Sequence, residues 1–130
     1  EDAMSDNKSQ NAQTVLNFIN AWPRLDAEEI AAFFTEDGTY HNMPIAPVSG
    51  RETVKAFVAG FINDWKATNW DVLSLVAEGD TVIAERVDHI HLKNGKSIDL
   101  PCLGIFEMEN GKIKVWRDYF DMNTYVQGAS

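Results

Sequence analysis

The first part of the chain repeats apolar residues at the three- and four-residue spacing of an amphipathic helix. One such segment lies before Pro23, and its apolar positions are Val15, Leu16, Phe18, Ile19 and Trp22. A second follows Asp26, a suitable N-cap, and we expect it to run through Phe33 and Phe34 until Gly38 ends it. These patterns predict two consecutive helices separated at the proline.

A short strand and a third helix follow. Residues 39–43 alternate in character, which places Tyr40 and Asn42 on one face of the strand. After a proline-containing loop, Ser49 and Glu52 have the spacing of a capping box and predict the start of the third helix. Its apolar positions are Val54, Phe57, Val58, Phe61, Ile62 and Trp65.

The second half of the chain changes to strand-type runs. Four are predicted, and they cover residues 70–76, 81–92, 97–108 and 112–120. Two Asn-Gly pairs, at 94–95 and 110–111, are strong hairpin signals and make the last three strands an antiparallel meander. The predicted fold class is α+β, in which a strongly curved mixed sheet packs against three N-terminal helices and forms a cone-shaped pocket.

Charge and composition narrow the function classes. The 130-residue chain has a formal net charge of -9, which argues against nucleic acid and anionic membrane surfaces as partners. No apolar run approaches the roughly 18 residues of a membrane helix. The single cysteine, Cys102, fits a reducing compartment, so we expect a cytoplasmic protein. Residues 1–11 are polar and predicted as a flexible tail before a single domain at 12–130.

The strand at 81–92 carries two charged residues on a face that is otherwise apolar. Arg86 and Asp88 share that face with Val82, Ala84 and Ile90. In the last strand, Asp118 lies between aromatic residues on the face it shares with Trp116 and Phe120. The pattern therefore predicts that Arg86, Asp88 and Asp118 are enclosed together.

Two interpretations of such a cluster stay open. It can be a structural ion pair, although burying charges is costly even when they are paired. Alternatively, one arginine between two aspartates leaves a formal charge of -1, which favours one protonated and one ionised carboxyl group, an acid beside a base.

The sequence gives less support for a metal site, a cysteine or serine nucleophile, or a nucleotide-binding site. His89 and His91 share the strand face opposite Asp88, and the sequence offers no evident third ligand for a metal ion. Cys102 lies in an apolar run and is interpreted as a small core residue. Glycine-rich nucleotide motifs and the G-x-S-x-G elbow are absent from the sequence.

Three stretches of the sequence resemble the limonene-1,2-epoxide hydrolase family. They are GTYHNMPIAPVSGRE, beginning at residue 38, ERVD at 85–88 and WRDYFD at 116–121. The resemblance covers about residues 12–126 and extends to the wider cystatin-like or NTF2-like superfamily, which includes polyketide cyclases and ketosteroid isomerases. It implies a homodimer without cofactor or metal that adds water to a small apolar epoxide, cyclic or terpenoid, in one step.

The resemblance also assigns roles to residues of this chain. It implies an Asp-Arg-Asp set with a tyrosine and an asparagine that hold the water, and these are Asp88, Arg86, Asp118, Tyr40 and Asn42. It further implies a pocket wall formed by Ile19, Trp22, Phe61, Trp65, Ile90, Leu100, Cys102 and Phe120.

Two other functions stay open for the same fold. A polyketide cyclase or ketosteroid isomerase-like enzyme would use one acidic base to remove a carbon-bound proton. A non-catalytic binding module would need no polar group in its pocket.

Overall fold

A computed structural model describes residues 3–130. The helices are α1 (Ala3–Ala21), α2 (Ala27–Ala31), α3 (Arg51–Ile62) and α4 (Met122–Ala129), and a 3₁₀ turn at Trp22–Arg24 joins the first two. The strands are β1 (Phe34–Asn42), β2 (Val48–Ser49), β3 (Trp65–Glu78), β4 (Thr81–Leu92), β5 (Ser97–Glu109) and β6 (Lys112–Tyr119).

The six strands form one mixed sheet in the order β2-β1-β6-β5-β4-β3. Neighbouring strands are antiparallel except for β1 and β6, which are parallel. Register shifts interrupt β1, β3 and the β5–β6 pair, and bulges of this kind bend a sheet. The predicted α+β class and curved mixed sheet are confirmed.

The hairpins form where the Asn-Gly pairs predicted them. Asn110 and Gly111 have φ angles of 50° and 78°. Two consecutive left-handed residues are typical of the tight turn that matches the twist of two antiparallel strands. The meander is longer than predicted, because β3 also pairs antiparallel with β4.

The helices cover the inner, concave face of the sheet, where the core lies. Phe18 of α1 makes edge contacts with Phe34, Phe106 and Trp116, which come from three adjacent strands. All four side chains are fully buried. Contacts of this kind tie the first helix to the middle of the sheet.

The prediction for the second helix is partly wrong. Asp26 caps α2 as expected, since its carboxylate accepts the backbone N–H groups of Glu28 and Glu29. However, the helix ends at Ala31, and β1 already begins at Phe34. Gly38 lies inside that strand, where a Cβ atom would be 3.1 Å from the Ile113 carbonyl oxygen. The glycine therefore permits a close strand crossing rather than ending a helix.

The capping box predicted for α3 is also wrong. The N-cap is Gly50, with a φ of 95°, and it makes no side-chain cap bond. Ser49 instead pairs its hydroxyl with that of Thr39 on the adjacent strand, 2.8 Å away. Trp65 begins β3 rather than ending the helix, because α3 stops at Ile62.

The two ends of the described chain differ from the prediction as well. α1 begins at Ala3, so residues 3–11 are helical where a tail was expected, and Asn11 is buried. No glycine or proline interrupts this stretch, so the helix continues outward from its apolar part. Residues 1 and 2 lie outside the described residues. α4 was not predicted, although Asp121 caps it through the Thr124 backbone N–H.

Within residues 3–130, none of the helices is both long and apolar enough to cross a lipid bilayer.

Candidate active site

Strand β4 directs its charged pair into the interior, as the alternation predicted. Its residues alternate between buried and more exposed positions along their length. Arg86 and Asp88 are buried together with Val82, Ala84 and Ile90. Both charges therefore lie on the concave side of the sheet.

The Arg86 guanidinium makes a bidentate pair of hydrogen bonds with each of the two aspartates. Its Nε and Nη2 atoms donate to Asp88 at 2.8 and 2.9 Å. Its Nη1 and Nη2 atoms donate to the two oxygens of Asp118, each at 2.8 Å. Arg86 is fully buried, and the two aspartates are 3% and 4% exposed. One positive charge thus faces two carboxyl groups away from bulk water.

Arg86 reaches Asp118 by crossing the strand between them. β5 separates β4 from β6, so the side chain spans two inter-strand spacings, about 10 Å. Gly104 of β5 lies directly beside Asp118 in the sheet. A Cβ atom at Gly104 would be only 2.8 Å from Arg86 Nη1. The missing side chain therefore leaves the path open for the guanidinium.

The parallel pairing of β1 with β6 brings two further polar residues to the same place. Asn42 is the register partner of Asp118, and Tyr40 is the partner of Trp116. The rings of Tyr40 and Trp116 stack at 4.2 Å with an interplanar angle of 7°. All five residues assigned by resemblance therefore lie at one location, drawn from β1, β4 and β6.

Burial sets the protonation of these groups. It raises the pKa of Asp88, and Asp118 adds to that effect, while Arg86 opposes it. Burial and the Asp118 carboxylate also raise the pKa of Tyr40 well above its usual value. Burial alone would lower the pKa of Arg86, but the two carboxylates raise it, so the guanidinium stays charged. Asp88 is therefore the carboxyl group suited to keep a proton.

Trp70 contacts the charged cluster formed by Arg86, Asp88 and Asp118, and the sequence analysis did not assign it to the site. Its indole ring lies 4.6 Å from the Arg86 guanidinium carbon, at cation–π distance. It stacks on Trp22 at 4.3 Å, and its Nε1 donates to the Thr68 hydroxyl at 2.9 Å. The register of β3 and β4 makes Trp70 the neighbour of Asp88. Trp70 was the first residue of a strand predicted from the sequence, but the sequence did not show which residue of β4 it would pair with.

A cavity of about 240 Å³ opens beside the cluster. Six of the eight pocket residues predicted by resemblance line it, and they are Trp22, Phe61, Trp65, Ile90, Leu100 and Phe120. The other two, Ile19 and Cys102, are buried but do not line the cavity. Its polar lining consists of Asn42, Asp88, Asp118 and the two tyrosines, Tyr40 and Tyr125.

The wall also includes residues that the sequence analysis did not assign to it. Ile45 comes from the loop after β1, and Phe57 from α3. Met122 and Tyr125 belong to the unpredicted α4, where Tyr125 accepts a hydrogen bond from Trp65 Nε1 at 3.1 Å. Asp121 followed by Thr124 was the capping signal that could have located this helix.

Cys102 lies next to the acid. Its Sγ atom is 3.5 Å from Asp88 Oδ2, and burial raises the pKa of the thiol, which is therefore neutral. Asp88, Cys102 and Asp118 have ligand atoms within 4.8 Å of one another. Both carboxylates already bind Arg86, so a metal ion at this place would have to displace the guanidinium.

His89 and His91 lie away from the cavity, as the strand alternation predicted. The two ring nitrogens of His89 contact Asp99 at 2.7 Å and Asp71 at 2.8 Å. Nδ1 of His91 contacts the Ser97 hydroxyl at 2.9 Å. Both imidazoles are therefore engaged on the outer face of the sheet.

Residues 15–116 match the SnoaL-like domain family. The chain belongs to the SnoaL-like family. This match spans most of the chain and includes four of the five clustered residues, from Tyr40 to Asp88, but ends before Asp118.

Individual relatives of this SnoaL-like chain include an epoxide hydrolase. The epoxide hydrolase EphG of Mycobacterium tuberculosis is 27% identical over 112 residues, which cover 85% of this chain and 73% of that protein. A solved M. tuberculosis LEH-like epoxide hydrolase has a TM-score of 0.81 at 23% identity, covering 93% and 90% of the two chains.

A further solved structure of similar fold is that of an epoxide hydrolase/cyclase-like enzyme. The structure of SalBIII, an epoxide hydrolase/cyclase-like enzyme in pyran ring formation in polyether salinomycin, has a TM-score of 0.79. It is 16% identical and covers 89% of this chain and 94% of that chain. At such identities the two structural matches establish the shared fold alone.

Proposed function

We propose that this SnoaL-like chain is a cofactor-free epoxide hydrolase that adds water to a small epoxide and releases a vicinal diol. The observation that supports this most strongly is the buried Asp88–Arg86–Asp118 bridge beside an otherwise apolar cavity. Epoxide opening needs a base for the water and an acid for the oxirane oxygen at the same moment. The bridge supplies one carboxyl group for each task.

In the proposed reaction, ionised Asp118 takes a proton from a water molecule that Tyr40 and Asn42 hold by hydrogen bonds. The water oxygen attacks one oxirane carbon, and the carbon–oxygen bond breaks. Protonated Asp88 gives its proton to the departing oxygen. The products are the diol, protonated Asp118 and ionised Asp88.

Arg86 has two roles in this scheme. Its charge stabilises whichever carboxylate is ionised, and its paired hydrogen bonds fix the orientation of both. After turnover the proton has to return from Asp118 to Asp88, and the shared guanidinium keeps the two groups within one coupled unit. No covalent ester between enzyme and substrate forms.

The direct test replaces each carboxyl group by its amide. Asp88→Asn and Asp118→Asn should each lower kcat for diol formation at least about 100-fold, since a general acid or base contributes that much or more. Each variant keeps one carboxylate for Arg86, so circular dichroism should show an unchanged fold. Glu85→Gln is the matched control, because Glu85 is an exposed acid of the same strand. Full activity in either aspartate variant would refute the assigned roles.

Two further measurements separate the alternatives. Turnover in water enriched in heavy oxygen should place the label in the diol alone, whereas label in an enzyme aspartate would indicate an ester route. Exchange of a ketone α-hydrogen with deuterated solvent, without diol formation from any epoxide, would instead indicate a cyclase or isomerase reaction. Neither catalytic outcome fits a binding module.

A further inference from the structure

The cavity has a continuous aromatic wall that leads away from the acid–base cluster. Ring contacts connect Tyr40 to Phe57 at 5.6 Å, Phe57 to Phe61 at 5.3 Å and Phe61 to Trp65 at 5.4 Å. Trp65 then donates a hydrogen bond to Tyr125. Of the fifteen residues that line the cavity, eight are aromatic.

The first two contacts of this wall are nearly perpendicular. The interplanar angles are 80° for Tyr40 with Phe57 and 85° for Phe57 with Phe61. Alternating edges and faces present positive ring edges and negative ring faces side by side. An aromatic guest can meet such a wall with complementary edge and face contacts, whereas a saturated ring gains dispersion and burial only.

The charge of the lining limits the guest as well. Asp88 and Asp118 are the only ionisable carboxyl groups among the described lining residues, and no lysine, arginine or histidine is among them. Arg86, which is buried behind the carboxyl groups, already serves both. With Asp88 protonated, as the proposed reaction requires, Arg86 and ionised Asp118 neutralise each other. A charged guest would therefore lose its hydration without gaining an unpaired countercharge. A guest in this cavity has to be uncharged.

We propose that the substrate is an uncharged epoxide whose oxirane carries an aromatic ring, with the ring seated on the Tyr40–Phe57–Phe61–Trp65 wall. This inference rests on the proposed function, because it takes the acid–base cluster as the place of the oxirane. The aliphatic residues Ile90 and Leu100 add apolar contact without selecting between ring types.

A saturated ring provides the decisive comparison. Cyclohexyl has more apolar surface than phenyl, so a cavity that is merely hydrophobic would bind the cyclohexyl compound more tightly. A preference for phenyl therefore requires specific aromatic contacts. Product diols are suitable probes because they cannot react, which removes the higher chemical reactivity of an aryl epoxide from the comparison.

The experiment measures Kd by titration calorimetry for 1-phenyl-1,2-ethanediol, its cyclohexyl counterpart and its 4-carboxyphenyl counterpart. The phenyl diol should bind about two- to tenfold more tightly than the cyclohexyl diol, the range expected of one aromatic pair. The carboxyphenyl diol should bind at least about tenfold more weakly than the phenyl diol. Equal or tighter binding of the cyclohexyl diol overturns the inference, as does equal binding of the anion or no binding of any diol at its solubility limit.

A pair of variants locates the preference. Phe57→Leu removes one ring of the wall and should bring the phenyl-to-cyclohexyl ratio of Kd values close to that of a purely apolar cavity. Leu100→Ile changes an aliphatic position of the same cavity and should leave the ratio as in the wild type. A ratio that changes equally in both variants would contradict the aromatic wall as its origin.

Binding and turnover separate this inference from the proposed reaction. Hydrolysis of cyclohexyloxirane and styrene oxide with no phenyl preference among the diols would refute the substrate class and keep the reaction. A clear phenyl preference with no diol formed from any epoxide would refute the reaction and leave an aromatic binding cavity.

Discussion

The guanidinium carbon of Arg86 lies over the indole ring of Trp70, 4.6 Å from the ring centroid. Two further contacts fix Trp70: its ring stacks on Trp22, and its Nε1 donates a hydrogen bond to the Thr68 hydroxyl. That hydroxyl in turn donates to the His89 carbonyl. The cation is therefore held by hydrogen bonds to two carboxyl groups and by a cation–π contact with the indole ring. This arrangement makes the position of Arg86 dependent on a residue that takes no part in the proton transfers.

Replacing Trp70 should consequently impair catalysis. We expect Trp70→Leu to lower kcat about 2- to 30-fold, the range that corresponds to loss of one cation–π contact. Thr68→Val keeps the ring but removes its hydrogen-bond partner and that hydroxyl's own bond to the His89 carbonyl, so the decrease in kcat should be smaller. Steady-state kinetics on folded protein checks both. An unchanged kcat in Trp70→Leu would contradict a positioning role for this residue.

Gly104 should not tolerate a methyl group. A Cβ atom there would be 2.8 Å from Arg86 Nη1 and 3.0 Å from Trp116 Nε1. We expect Gly104→Ala to lower the free energy of unfolding by about 1–3 kcal/mol, as overpacking does. Gly60→Ala is the matched control, because this position in α3 has open space around it. That change should raise the stability by up to about 1 kcal/mol, and equal urea unfolding curves for both variants would refute the argument.

The activity should fall as the pH rises through the pKa of Asp88. Burial raises this pKa, so the donor form persists above the range of an ordinary aspartate. The Cys102 thiol lowers it by its hydrogen bond to the carboxylate. In Cys102→Val, which keeps an apolar side chain and removes the donor, the basic limb of the kcat profile should therefore move to higher pH. A limb that stays in place or moves to lower pH would contradict this role of the thiol.

His89 should make the stability depend on pH. Its contacts with Asp99 and Asp71 raise its pKa above the value of about 6.5 that it has in an unfolded chain. A raised folded pKa contributes stability that is fully present below the unfolded pKa and is lost as the pH rises through the folded pKa. Urea unfolding of the wild type and His89→Gln should thus differ most in mild acid and converge above that window. Asp71→Asn combined with Asp99→Asn should remove the same pH dependence.

Local patterns predicted the strand half of the molecule well. The β4 alternation placed Arg86 and Asp88 inside because one buried face imposes a period of two. The Asn-Gly pairs located both turns because each turn needs a left-handed conformation that glycine accepts readily, and at 110–111 the asparagine is left-handed as well. The roles of the clustered residues, the homodimer and the absence of cofactors came from resemblance, and they stay predictions.

The remaining differences arise from contacts between distant parts of the chain. The apolar run through Phe33 and Phe34 has no period that separates helix from strand, and it became β1 because Phe34 pairs with Ile113. Trp70 contacts Arg86 because of the register between β3 and β4, and Gly104 of β5 lies beside the path of the Arg86 side chain. Such partners are set by tertiary packing, which spacing along the chain does not encode.

The strand order also bears on how the protein forms. β1 is the first strand of the chain, yet its sheet neighbours are the two-residue β2 and the last strand, β6. β1 can pair with its parallel partner only after residues 112–119 have been made, whereas β3, β4 and β5 each have a neighbour that is adjacent in the sequence. Until then Arg86 has only Asp88 as a carboxylate partner, because Asp118 arrives with that last strand. Pairing of β6 therefore completes both the sheet and the carboxylate set around Arg86.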